Sequence, residues 1–213
     1  MGQIDPRRAP SFEAYGTGPA LILALDKGLP AGTEKGYLDQ LTDRYRVIVM
    51  DYPPSGDQAR AVESVFTPDR VREDVLAVAD AAGAERFAWF GYSWSGVVGL
   101  QLALRTQRLS ALICGGWPPL GAPYREMVRV AGAIAERSEQ PKNMATFYRG
   151  LESWPEYEAL SRLTVPRLAF AGSKDAIVTD GLTARIGPLV AEHSAEPSGW
   201  VGWCGRSITS GMR

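Results

Sequence analysis

The chain has 213 residues, 45% of them hydrophobic, with 23 Lys and Arg against 24 Asp and Glu and a formal net charge of −1. That is apolar chain enough for one globular domain with a sizeable core. Acids and bases are interspersed, so nothing suggests a surface for nucleic acid or an anionic membrane, and no apolar run approaches the ~20 residues of a membrane span.

The first residues, Met1-Gly-Gln-Ile-Asp-Pro-Arg-Arg8, are polar and lack the apolar region of a secretory signal, so a cytoplasmic location is expected. Residues 1–10 read as a lead-in and residues 11–19 as a short edge strand and turn. Ala20-Leu-Ile-Leu-Ala-Leu25 is a continuous apolar run, the pattern of a strand buried on both faces. Residues 34–45 read as a helix with Leu38 and Leu41 inward, and Arg46-Val-Ile-Val-Met-Asp51 as the next buried strand, broken by Tyr52-Pro-Pro-Ser-Gly56. Thr67 caps a helix with Pro68 at its first position, Val71, Val75 and Val78 on one stripe, and Gly83 at its close. A buried strand over Phe87 to Phe90 then runs through the tight turn Gly91-Tyr-Ser-Trp-Ser-Gly96 into an apolar helix reaching Leu104. Residues 111–115 and 166–172 supply the fourth and fifth long strands. Strands alternating with helices through short loops predict a parallel, helix-covered sheet, which binds its ligand at the carboxyl ends of the strands.

Residues 117–164 are too many for a simple crossover. Helical periodicity covers 124–139, with Met127, Val128, Ala131 and Ile134 on one face, and again 145–163. This pair is either a lid above the strand ends or a plain pair of crossover helices; the aromatics Trp117, Phe147, Tyr148, Trp154 and Tyr157 favour an apolar-lined lid, while core packing explains any one of them equally well. After a helix over 179–193 the tail, residues 194–213, shows no convincing strand. Cys114 and Cys204 form neither a metal nor a redox spacing and read as free thiols, and His193 is the single histidine.

The turn at Ser93 carries the chemistry. So short a passage from strand to helix strains the residue at its apex, lifts its side chain clear of the sheet and sets the following amide at a helix N-terminus. Gly91 and Gly96 are expected to keep bulk away from that apex. An ordinary βα turn that happens to carry serines is the alternative. Gly91-Tyr92-Ser93-Trp94-Ser95-Gly96 resembles the nucleophile elbow of the α/β-hydrolase family, G-x-S-x-G, with Ser95 in place of the second glycine.

The similarity runs from about Phe12 to His193. It implies an α/β fold: a mostly parallel, helix-covered sheet of α/β-hydrolase type with a small helical cap insertion. The core would be residues 1–116 and 165–213 and the cap 117–164. It also implies a serine hydrolase acting on a small carboxylic ester or lactone, with a small molecule as its partner and no cofactor or metal. Ser93 would be the nucleophile. Gly172-Ser-Lys-Asp175 is similar to the family's G-x-x-D, whose aspartate orients the catalytic histidine; capping the next helix is the other role open to Asp175. The oxyanion would be held by the backbone amides of Trp94 and Leu29. In Asp26-Lys27-Gly28-Leu29-Pro30, Gly28 fits the glycine of the family's His-Gly and Lys27 replaces its histidine. Trp117 and Trp154 would line the substrate pocket.

The histidine departs from the family's pattern. It normally follows one further strand, whereas His193 ends a helix running back from the strand ends, only 18 residues after Asp175. His193 is therefore read either as the catalytic base or as a surface helix histidine. Read one base earlier in GC-rich codons, residues 205–212 permit Gln-Val-Asp-His-Leu-Gly-His, so the chain from about Ser194 is expected to be a frame-shifted terminus lacking the last strand, the histidine and the last helix. Sequencing the coding DNA and its downstream region tests this. A non-catalytic member of the fold that binds a small apolar ligand is the second functional reading.

Overall fold

A computed structural model of the chain describes residues 10–25, 38–51, 66–117, 121–138, 143–154, 163–172 and 200–205. The chain divides into two compact units, Met1–Ala88 with Val128–Trp154 and Trp89–Met127 with Pro155–Arg213.

In the first unit, β2 (Ala20–Leu25) pairs in parallel with β3 (Arg46–Asp51), and β1 (Phe12–Tyr15) runs antiparallel along the other side of β3. Residues Ala20 to Ala24 are all buried, as their unbroken apolar run requires of a two-faced strand. Helix α1 (Pro68–Ala81) starts where the Thr67 hydroxyl accepts from Arg70 N–H at 3.3 Å, with Pro68 at the first helical position. Its stripe Val71, Val75 and Val78 is fully buried, each side chain contributing about 2 kcal/mol of apolar burial. The helix closes at Gly83 (φ 62°), where Ala84 N–H donates to Ala79 C=O and Gly83 N–H to Asp80 C=O. Phe66 ahead of α1 meets Phe147 at 5.7 Å between ring centroids, and Phe147 packs edge-on to Tyr148 on the short helix Asn143–Glu152.

In the second unit the strands lie in the order β4-β5-β6-β7. They are β4 (Phe87–Tyr92, of which Trp89 onward belongs here), β5 (Leu109–Gly115), β6 (Arg167–Gly172) and β7 (Trp200–Gly205). β5 and β6 are parallel, from Leu112↔Arg167 to Gly115↔Phe170. Between β4 and β5 lies α2 (Trp94–Arg105), with every residue from Trp94 to Leu102 buried. α3 is Gly121–Arg137, and the helix Asn143–Glu152 is α4.

Four sequence expectations are corrected. β4 runs two residues past Phe90, through Gly91 and Tyr92. The helix expected over 145–163 ends at Glu152, with Pro155 following. Ile134 is not on the inward face of α3: it is 59% exposed, and the buried positions are Tyr124, Val128 and Gly132, a four-residue repeat that leaves Ile134 on the far side. The tail does contain a strand, because β7 pairs antiparallel with β6 over its whole length, from Arg167↔Gly205 to Gly172↔Trp200. Pairing with β6 makes this strand where a glycine at every third position hides it from propensity. The expected helix over 34–45 is described only at its helical residues 38–41 and the turn after them, and the helix over 179–193 lies outside the described residues.

Candidate active site

The turn from β4 to α2 is one residue long, Ser93 alone between Tyr92 and Trp94. Ser93 sits at its apex with φ 55° and ψ −124°, the only non-glycine residue of positive φ among the described residues. A β-carbon is disfavoured there, so surrounding bonds must hold the conformation. Ser93 is exposed at the carboxyl end of β4 and is the N-cap residue of α2, yet its hydroxyl makes no capping bond. Its backbone does that work: Ser93 C=O accepts from Gly96 N–H at 2.9 Å and from Val97 N–H at 3.4 Å. By helix geometry the amides of Trp94 and Ser95 precede the first intrahelical bond, at the positive end of the α2 dipole.

The residues around Ser93 explain how the turn is held. Ser93 N–H donates to Gly115 C=O, at the end of β5, at 2.8 Å. The Ser95 hydroxyl accepts from Tyr92 N–H at 2.9 Å and donates to Tyr92 C=O at 2.8 Å. The indole N–H of buried Trp89 donates to Ser95 C=O at 2.9 Å. Gly91 is required by this closeness, since a β-carbon on it would lie 2.2 Å from the Ser95 carbonyl oxygen. Gly96 serves a different end from the one expected. A β-carbon there would meet Cys114 Sγ at 3.0 Å and Gly115 O at 3.1 Å, so its small size seats α2 on β5.

Beside the apex, Tyr92 is 48% exposed, with its ring 6.2 Å from that of Phe170 on β6. Trp117 is 3% exposed and packs edge-on to Tyr124, and Trp154, in the other unit, is 6% exposed. Both indoles are thus core residues. Cys114 is buried, and burial pushes its thiol up to about 12 from 9.0, leaving it a thiol and no nucleophile at neutral pH. The other candidates, Asp175, His193 and Leu29 with its neighbours Lys27 and Gly28, lie outside the described residues. The described structure therefore brings Ser93 and Trp94 together and leaves the acid and the base unplaced. Among the described residues, no group of three or more His, Cys, Asp or Glu could hold a metal ion, and no helix is long and apolar enough to cross a membrane. The bonding of Ser95 was missed in the sequence, where its one signal was a serine in a glycine's place.

A family model described as the alpha/beta hydrolase fold matches residues 27–134, half of the chain. The chain belongs to the α/β-hydrolase family. This α/β-hydrolase is 31% identical over 108 residues to the protein named "Putative carbamate hydrolase RutD" of Azorhizobium caulinodans, covering 50% of this chain and 40% of that one. It is 34% identical over 104 residues to the pimeloyl-(acyl-carrier protein) methyl ester esterase of Aeromonas hydrophila, covering 48% and 39%. The matches thus span about two-fifths of the length of these curated relatives. In fold it is similar to the solved structure of a thermophilic esterase from Thermogutta terrifontis, at TM-score 0.59 and 23% identity over 79% of this chain and 76% of that one. It is similar too to a bromoperoxidase from Bacillus anthracis, at TM-score 0.60 and 16% identity over 80% and 79%. That one fold serves both an esterase and a bromoperoxidase fits the rule that function resides in the site.

Proposed function

We propose that the chain is a serine hydrolase that cleaves a small carboxylic ester or lactone through an acyl-enzyme on Ser93. The observation that carries this reading is Ser93 itself: its backbone is strained at φ 55°, and its exposed side chain makes no capping bond to α2. Such a nucleophile elbow holds a hydroxyl out toward a carbonyl. Ser93 Oγ bonds to the substrate carbonyl carbon while its proton passes to the base. The tetrahedral oxyanion accepts hydrogen bonds from the amides of Trp94 and Leu29, then collapses and expels the alcohol, which takes up the proton. Water adds to the acyl-enzyme by the same route and returns Ser93. In this reading Asp175 orients His193, and His193 is the base. In this reading residues 117–164 form the cap. The ester bond cleaved by the Aeromonas hydrophila relative supports the substrate class; the name of the Azorhizobium caulinodans protein makes a carbamate the next compound to assay.

The test is intact-mass labelling with a fluorophosphonate on this chain and on Ser93→Ala. Rapid adduct formation that Ser93→Ala abolishes is the expected outcome. A folded chain that fails to label overturns the reading. The single histidine, placed at the end of a predicted helix, favours one alternative: an α/β-hydrolase fold without its base, which binds a small apolar ligand equally well with Ser93→Ala and turns over nothing.

A further inference from the structure

Ser95 occupies the place of a glycine in the G-x-S-x-G pattern, and it is 2% exposed. We propose that Ser95 is a positioning residue whose hydroxyl holds Ser93 at positive φ, an inference that rests on Ser93 being the nucleophile. The peptide between Tyr92 and Ser93 is pinned at both of its polar ends. Its C=O accepts from Ser95 Oγ–H at 2.8 Å, and its N–H donates to Gly115 C=O at 2.8 Å. A serine at φ 55° is relieved by rotating that peptide, because rotation carries φ to the negative side, where a β-carbon fits. Rotation must break both bonds. The same hydroxyl accepts from Tyr92 N–H at 2.9 Å, so it spans two consecutive peptides and leaves neither its donor nor an acceptor site idle. The hydroxyl is itself anchored, because the Trp89 indole N–H fixes the Ser95 carbonyl at 2.9 Å. Glycine at 95 removes the bond from the hydroxyl to the C=O of the pinned peptide, one of the two bonds that the rotation must break. The expectation therefore runs against the motif: restoring its second glycine weakens this site.

The experiment compares wild type, Ser95→Gly, Ser95→Ala and Ser95→Thr, with Ser93→Ala as the baseline. The fluorophosphonate labelling rate is measured together with kcat and KM on a short-chain p-nitrophenyl ester, and a crystal structure of Ser95→Gly and Ser95→Ala gives φ of residue 93. Alanine keeps a helix former at the second position of α2, so a loss shared by both variants does not come from glycine's flexibility. Both variants are expected to lose about three- to tenfold in labelling rate and kcat at unchanged KM, the population shift that one lost buried hydrogen bond produces. Ser95→Thr, which keeps a hydroxyl, is expected to recover most of that loss, and φ at Ser93 is expected to relax or split in two conformers. Wild-type rates in Ser95→Gly and Ser95→Ala with φ still positive overturn the proposal. If wild type itself neither labels nor turns over, the hydrolase reading falls, and the backbone alone decides: a relaxed φ upholds the clamp and an unchanged φ overturns it.

Discussion

Alanine at position 91 would carry its β-carbon to 2.2 Å from the Ser95 carbonyl oxygen, 2.4 Å from the Ser95 carbonyl carbon and 2.7 Å from the Gly96 nitrogen. All three are backbone atoms of the first turn of α2, so no side chain can swing aside. Ordinary contact begins at 3.4 Å, and 3.4 minus 2.2 requires strand and helix to part by about 1.2 Å at the turn. That movement stretches the Trp89–Ser95 bond and both bonds between Ser95 and Tyr92. Overpacking costs about 1–3 kcal/mol and a weakened buried hydrogen bond about 1 more, so Gly91→Ala is expected to lose about 3 kcal/mol. At this chain length each kcal/mol moves Tm by about 2–4 °C, giving a fall of about 6–12 °C. Gly83→Ala is the control. Nothing lies within 4 Å of a β-carbon at 83, so only the positive φ of 62° is charged, about 1 kcal/mol. Thermal melts by circular dichroism with urea titrations at 25 °C make the comparison. A Gly91→Ala fall no larger than that of Gly83→Ala would refute the account of a turn closed backbone against backbone.

Two further predictions concern stability away from Ser93. Burial holds the Cys114 thiol at about 12 against 9.0, so folded and unfolded chains both keep the proton below pH 9. Between pH 9 and 12 the unfolded chain loses that proton first, so stability is full below pH 9 and falls as pH rises; buried Tyr148, also pushed up, acts in the same sense. Urea midpoints from pH 8 to 11 should decline less steeply in Cys114→Ala than in wild type, and parallel slopes would refute this. Thr67→Ala removes the 3.3 Å cap bond of α1 and should lower Tm by about 2–4 °C, a loss of about 1 kcal/mol, without changing the labelling rate at Ser93.

Where local chemistry decides structure, the sequence was readable. Thr67, Pro68, the valine stripe and Gly83 each act within a turn of their neighbours, and the structure holds each as expected. The apex at Ser93 was readable for the same reason, since a strand, a short turn and a helix leave one residue to take the strain. Tertiary partners decided the rest. β7 forms because β6 offers it a ladder, in a segment where Gly202 and Gly205 interrupt the strand-favouring Trp200, Val201 and Trp203. Ile134 was misread because a step of three from Ala131 was counted as one face, whereas the buried stripe advances by fours from Tyr124. The bonds of Ser95 depend on where Tyr92 and Trp89 meet the first turn of α2, a geometry that residue types alone do not encode.

Position 93 sets two selective demands against each other. Glycine adopts a backbone of φ 55° with no steric penalty, while any residue with a β-carbon is disfavoured there. Serine is thus a poor choice for stability at this one place, and the mutation that would most relax the turn is the one that deletes the hydroxyl. On the proposal that Ser93 is the nucleophile, a lineage that gave up the reaction should change at residue 93 before its core does, and glycine there would be its mark.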